Sequence, residues 1–124
     1  HRDLHSFPTR RSSDLFGLPG EPYILWLQWL ANGTPSKDYT VFVQVLNAEG
    51  DLIASGDAPP LNGDYPTRLW ESGEEIWDRK TFTLPNDTPA GNYRLLIGLY
   101  DPLTGERMPL LRGGDFVELP LAVR

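Results

Sequence analysis

The sequence predicts an all-β fold, an immunoglobulin-like antiparallel β-sandwich of about seven strands. Three observations point there. Twelve Gly and twelve Pro in 124 residues fall between apolar stretches of strand length, as punctuation between many short elements does. Tyr39–Leu46 and Asn92–Tyr100 place apolar residues in phase with a period of 2, and no segment sustains the 3.6 period of a helix. Pro89-Ala90-Gly91-Asn92-Tyr93 sets a Tyr two residues after a Gly at the mouth of a strand. That spacing fits a tyrosine corner, whose hydroxyl bonds back to nearby backbone; the plainer alternative is a core Tyr at a strand start.

Residues 1–15, HRDLHSFPTRRSSDL, stand apart. They are basic, carry no hydrophobic period and lead into no turn. They lack the apolar run and small-residue cleavage site of a signal peptide. Their back-translation resembles a short-read sequencing adapter, ending within the codon of Leu15. We therefore read 1–15 as an artefactual, disordered tail and 16–124 as the β-sandwich domain. The alternative is a genuine disordered tail.

Taken in order, Pro19-Gly20-Glu21-Pro22 is a turn, because Pro fixes φ and Gly accepts positive φ. Tyr23–Leu30 is a strand, apolar on both faces and so expected to be central, with Trp26 and Trp29 in the core. Asn32-Gly33-Thr34-Pro35 turns into Tyr39–Leu46. Ala48-Glu49-Gly50-Asp51 has hairpin chemistry, returning through Leu52–Ser55. Gly56–Gly73 is a long loop, of the kind that is functional or internally packed. Glu75–Leu84 is a strand whose inward side the pattern leaves open, since charged residues occupy both faces. Pro85–Gly91 turns into Asn92–Tyr100, Asp101–Gly105 closes a hairpin onto an Arg107–Leu111 strand, and Phe116–Val123 ends the domain.

Removing Arg2, Arg10 and Arg11 together with Asp3 and Asp14 from 11 Lys+Arg and 17 Asp+Glu leaves eight basic and fifteen acidic side chains, a net charge of −7 for Phe16–Arg124. Such a surface argues against nucleic acid, where a basic patch supplies most of the affinity, and against anionic membrane surfaces. No apolar run approaches the roughly 20 residues of a spanning helix, so no membrane insertion by this segment is expected. The chain has no Cys, and both His1 and His5 lie in the tail. The fold thus does not rely on disulfides.

Several segments together resemble a known family. They are Tyr39-Thr40-Val41-Phe42-Val43-Gln44, the loop residues Asp57, Pro59, Pro60, Gly63-Asp64-Tyr65-Pro66-Thr67 and Trp70, then Ser72-Gly73-Glu74, Gly91-Asn92-Tyr93-Arg94-Leu95 and Gly98-Leu99-Tyr100-Asp101-Pro102-Leu103-Thr104-Gly105-Glu106-Arg107. The combination is similar to a domain at the C-terminus of large bacterial multi-spanning membrane proteins of the dolichol-phosphate-mannose glycosyltransferase type, and covers most of Phe16–Arg124. The resemblance implies that the catalytic carboxylates lie in a membrane-embedded part absent here. It implies that the sandwich faces the extracytoplasmic side of the bacterial cell membrane, with the membrane-embedded remainder of its parent as partner. Relatives of this kind carry another strand before the Pro-Gly-Glu turn. The expectation is a fragment truncated at its N-terminal strand, with one sheet edge open.

The residues themselves suggest no catalysis. A hydrolytic triad needs a base, most often His, beside its nucleophile, and zinc sites need Cys or His. A glycosidase pair would have to come from Asp57, Asp64, Glu71, Glu74, Glu75 and Asp78, which show no spacing motif and suit an acidic surface. Calcium would have to use Asp57, Asp64, Asp101 and Asp115, which read more simply as turn aspartates bonding their own backbone. We expect no enzyme, no cofactor and no metal. The chain reads as a non-catalytic interaction or spacer domain. The alternative is a carbohydrate-binding module built on the Gly56–Trp77 loop region. There Tyr65, Trp70 and Trp77 offer rings, and Asp64 and Arg68 offer planar polar groups, with Asp78 nearby. Against it, Trp70 can instead fold back to plug the core. Exposure of the Trp70 ring separates the two.

Overall fold

The computed structural model describes residues 2–7 and 16–124, with 2–7 and 16–17 described by their backbone alone. Eight strands run in the order β1 (Arg2–Phe7), β2 (Phe16–Gly17), β3 (Pro22–Ala31), β4 (Thr40–Leu46), β5 (Leu52–Ser55), β6 (Glu75–Thr83), β7 (Gly91–Tyr100) and β8 (Val117–Val123). They form two sheets. One is antiparallel, ordered β1-β3-β6; the other is ordered β2-β8-β7-β4-β5 and is antiparallel except where the short β2 runs parallel to β8. The fold class expected from the pattern is the one observed.

The core lies between the sheets. Leu25, Leu27, Trp29 and Ala31 of β3 meet Val41, Val43 and Val45 of β4 and Leu95, Ile97 and Leu99 of β7, all buried. Each large side chain so buried contributes roughly 1.5–3 kcal/mol. The tyrosine corner forms: the Tyr93 hydroxyl donates to the Pro89 carbonyl at 2.7 Å, pinning the entry to β7.

Four expectations change. Trp29 is core, but Trp26 is 42% exposed. β3 is the middle strand of its sheet, yet only its odd-numbered face from Leu25 onward is buried. The Arg107–Leu111 strand does not form. Arg107 makes a single bridge to Tyr100, the Met108 N–H reaches the Leu99 carbonyl, and the chain then turns through Leu110–Gly114. Beyond Leu99 that edge of β7 is taken by β8, which pairs with it from Ile97 onward. Finally, the disorder expected for the tail does not extend to Arg2–Phe7, which pair antiparallel with Trp26–Ala31 of β3. A strand edge presents a row of backbone donors and acceptors that any extended segment satisfies, whatever its sequence. The expectation for residues 1 and 8–15 lies outside the described residues.

The ambiguous strand, β6, resolves in an unexpected sense. Ile76, Asp78, Lys80 and Phe82 face inward and Glu75, Trp77, Arg79, Thr81 and Thr83 face out. Asp78 and Lys80 are fully buried and pair, the ammonium lying 2.9 Å from Oδ1 and 2.8 Å from Oδ2.

Candidate functional site

The loop between β5 and β6 crosses from one sheet to the other. It leaves through Gly56, where a side chain would strike the Thr81 carbonyl at 2.1 Å, so only glycine allows the approach. Two short 3₁₀ turns follow, at Pro60–Gly63 and Thr67–Leu69. Leu61 and Asn62 hold left-handed backbone, with φ of 52° and 54°. This conformation costs an L-residue roughly 1–2 kcal/mol. The buried pair of β6 over-determines it: Asp78 Oδ1 accepts the Leu61 N–H at 3.0 Å, and Lys80 donates to the Pro59 carbonyl at 2.9 Å. An inward-facing ion pair thus serves as the polar anchor of the loop.

Trp70 decides the loop's role. Its ring is fully buried, 6.4 Å from Trp29 and tilted 39° to it. Its indole N–H donates to the Tyr65 carbonyl at 3.1 Å, and its own carbonyl accepts the Thr34 hydroxyl at 2.6 Å. Thr67, also buried, donates to the Lys37 carbonyl and accepts the Tyr39 N–H. The Tyr65 hydroxyl donates to the Glu74 carboxylate, 2.7 Å from Oε1. That bond raises the Tyr65 pKa. The Glu74 carboxyl is lowered, first by accepting the Glu71 N–H and then by Tyr65. The loop is stitched to itself and to the 34–39 segment.

The five residues expected to form a binding platform therefore do not converge. Trp70 is inside the sandwich. Tyr65 is half-buried and bonded to Glu74. Arg68 is exposed and pairs with Asp38 at 3.3 Å, while Asp64 lies exposed at the end of a 3₁₀ turn. Trp77 is 41% exposed on the outward face of β6, so the sheet stands between it and Trp70. The candidate calcium ligands are also separately engaged. Asp57 accepts the Val43 N–H. Asp101 accepts the Leu103 N–H and pairs with Lys37, both of which lower its pKa; Asp115 pairs with Arg107. Among the described residues, no group of three or more His, Cys, Asp or Glu is placed to hold a metal ion. A groove of about 540 Å³ opens at the tyrosine-corner end, between Asn47–Glu49 and Pro85–Tyr93, and none of the five lines it.

The outer sheet faces remain. Over the five-stranded sheet, the segment after β7 folds back as a cover. Phe42 is buried there, with the Arg107 guanidinium 4.4 Å above its ring and Tyr100 6.2 Å away. A side chain at Gly98 would meet the Phe42 ring at 2.6 Å and the Asp115 carbonyl at 2.7 Å. Burial and Asp57 raise the Tyr100 pKa. Over the three-stranded sheet, Ile24, Trp26 and Trp77 are exposed beside Gln28, Glu75 and Arg79. The sequence signal for this face was Gln28: a polar residue in phase with Trp26 marks the wet side of the strand.

No family model and no curated protein matches the chain. Solved structures do. A Niemann-Pick type C2 protein from Japanese carpenter ant superposes with a TM-score of 0.60 at 12% identity, over 98% of this chain and 89% of that one. A family 123 glycoside hydrolase from Clostridium perfringens, at 12% identity and a TM-score of 0.47, matches 99% of this chain and 27% of the hydrolase. At such identities the likeness is one of fold. Together with the two packed sheets, the first match makes this chain an immunoglobulin-like β-sandwich.

Proposed function

We propose that the chain is a non-catalytic accessory domain of a bacterial envelope protein resembling membrane glycosyltransferases, a spacer or interaction module on the extracytoplasmic side beside the membrane-embedded remainder of its parent. One observation carries this reading: the residues behind the resemblance build the fold. Trp70 and Thr67 tie the loop into the core, Gly98 makes room for Phe42, and Asp101 and Arg107 hold the cover over the second sheet. A motif spent on shape suits a module that presents surfaces. Carbohydrate binding by the Gly56–Trp77 loop is disfavoured, because its central ring is buried.

The test begins with the source locus, sequenced across the codons for Leu15 and Phe16. The expected result is a frame that loses the adapter string and encodes many apolar spans upstream. Deleting 16–124 from that parent should then leave sugar transfer by its membrane extracts within a few-fold of the intact protein. A signal peptide joined directly to a soluble domain, or complete loss of transfer from a stably inserted parent, sinks the proposal.

A further inference from the structure

We propose that the outer face of β3 and β6 binds a run of neutral polysaccharide, with pyranose rings stacked on Trp26 and Trp77 and hydroxyls held by Gln28, Glu75 and Arg79. The antiparallel register fixes the layout. Trp26 is directly opposite Arg79, and Gln28 is directly opposite Trp77. Residues paired this way stand on the same face, so rings occupy one diagonal and planar polar groups the other. Ile24 opposite Thr81 extends this square at one end and Leu30 opposite Glu75 at the other.

The parts are held in place. The Arg79 guanidinium lies 6.0 Å from the Trp26 ring centroid, a cation–π contact that sets one indole against its neighbour. The Gln28 amide donates to the Glu75 carboxylate beside Trp77. On the opposite side of the sheet, Leu25, Leu27 and Trp29 are buried, so the strands beneath the platform are rigid core elements rather than a loop.

The chemistry selects the ligand. A pyranose presents an apolar C–H face and an equatorial rim of hydroxyls. It asks for a flat aromatic surface with a few fixed donors and acceptors at the edge. Gln28, Glu75 and Arg79 supply a donor–acceptor amide, an acceptor and a donor fork respectively. Charge narrows the class. Phe16–Arg124 carries a net charge of −7, which repels nucleic acid and anionic lipid and disfavours acidic sugars. A neutral chain meets no such barrier. The inference goes beyond the accessory reading and holds whatever the parent is, since it rests on this face alone.

The test uses the full chain. Short neutral oligomers of glucose, mannose, galactose and N-acetylglucosamine are titrated against tryptophan fluorescence, with calorimetry for the affinity. At least one series should saturate. Trp26→Ala and Trp77→Ala should each weaken that binding about tenfold or more, Trp26→Tyr should retain most of it, and Leu103→Ala, at a side chain 92% exposed elsewhere, should change nothing. Circular dichroism melts confirm that the variants fold. The proposal is overturned if no series binds, or if binding survives both alanine substitutions. It is also overturned if Trp77→Ala instead converts a dimer to a monomer or abolishes binding to phosphatidylcholine vesicles, since the face would then serve a second copy or a lipid surface. Neither result would bear on the upstream frame, so the two proposals fail separately.

Discussion

The two sheets treat their outer faces in opposite ways. The five-stranded sheet hides Phe42 beneath the segment that follows β7. The three-stranded sheet leaves Trp26 and Trp77 each about two-fifths exposed. Both faces carry large rings with an arginine beside one of them. Among the described residues, what differs is whether a segment covers them. On the covered face, Arg107 completes a packed layer; on the bare face, Arg79 lies beside a ring open to solvent. An aromatic residue is therefore evidence of burial only where some part of the chain is free to reach over it.

The largest effect should come from the ring that the loop carries inward. Trp70→Ala removes a fully buried indole packed on Trp29 and orphans the Tyr65 carbonyl. A loss of about 3–5 kcal/mol is expected by chemical denaturation. A loss below about 1 kcal/mol would mean the loop is not part of the core.

The buried pair should come next. Asp78→Ala leaves the Lys80 ammonium in the interior with one carbonyl partner and frees the Leu61 N–H. The expected loss is about 3–5 kcal/mol. The double variant Asp78→Leu with Lys80→Met removes the stranded charge, yet the Leu61 N–H stays unpaired and the Pro59 carbonyl keeps only the Asn62 N–H. It should recover part of the loss, not all. Full recovery would show that the pair does not anchor the left-handed turn at Leu61 and Asn62.

Gly98→Ala probes the cover. A methyl there meets the Phe42 ring and the Asp115 backbone at under 3 Å, so either the ring or the covering segment must shift. The expected cost is about 1–3 kcal/mol, with Phe42 becoming more exposed to solvent. A neutral result would mean that the cover is loose and the contrast between the faces weaker than the geometry implies.

The strands were legible because their signal is local. Alternation in Tyr39–Leu46 and Asn92–Tyr100 and the corner at Tyr93 need no knowledge of partners. The site was not legible, for a physical reason. In β6, Asp78 and Lys80 on one face balance Glu75 and Arg79 on the other, so periodicity alone assigns neither side. Only the loop carbonyl and N–H that meet the inner pair decide it, and those come from residues 17 to 21 positions away. Trp26 reads as core because one polar residue in phase with it, Gln28, is outweighed by its apolar neighbours. The 107–111 segment has strand-like composition, but the β7 edge it would extend along is taken by β8 from Ile97 onward, a long-range pairing that local composition does not reveal.

The smallest effect tests the bare face. Trp26→Ser and Trp77→Ser remove rings that contact solvent on one side and cross-strand neighbours on the other. Such pairs contribute roughly 0.2–1 kcal/mol, and an exposed cation–π contact about as little. Each substitution should therefore shift stability by about 1 kcal/mol or less. Phe42→Ala on the covered face should cost about 3–5 kcal/mol. Equal costs on the two faces would erase the distinction and return both indoles to the fold. A small cost beside a large one means that stability does not account for two tryptophans on a wet sheet. The sugar titration above then asks what else they hold.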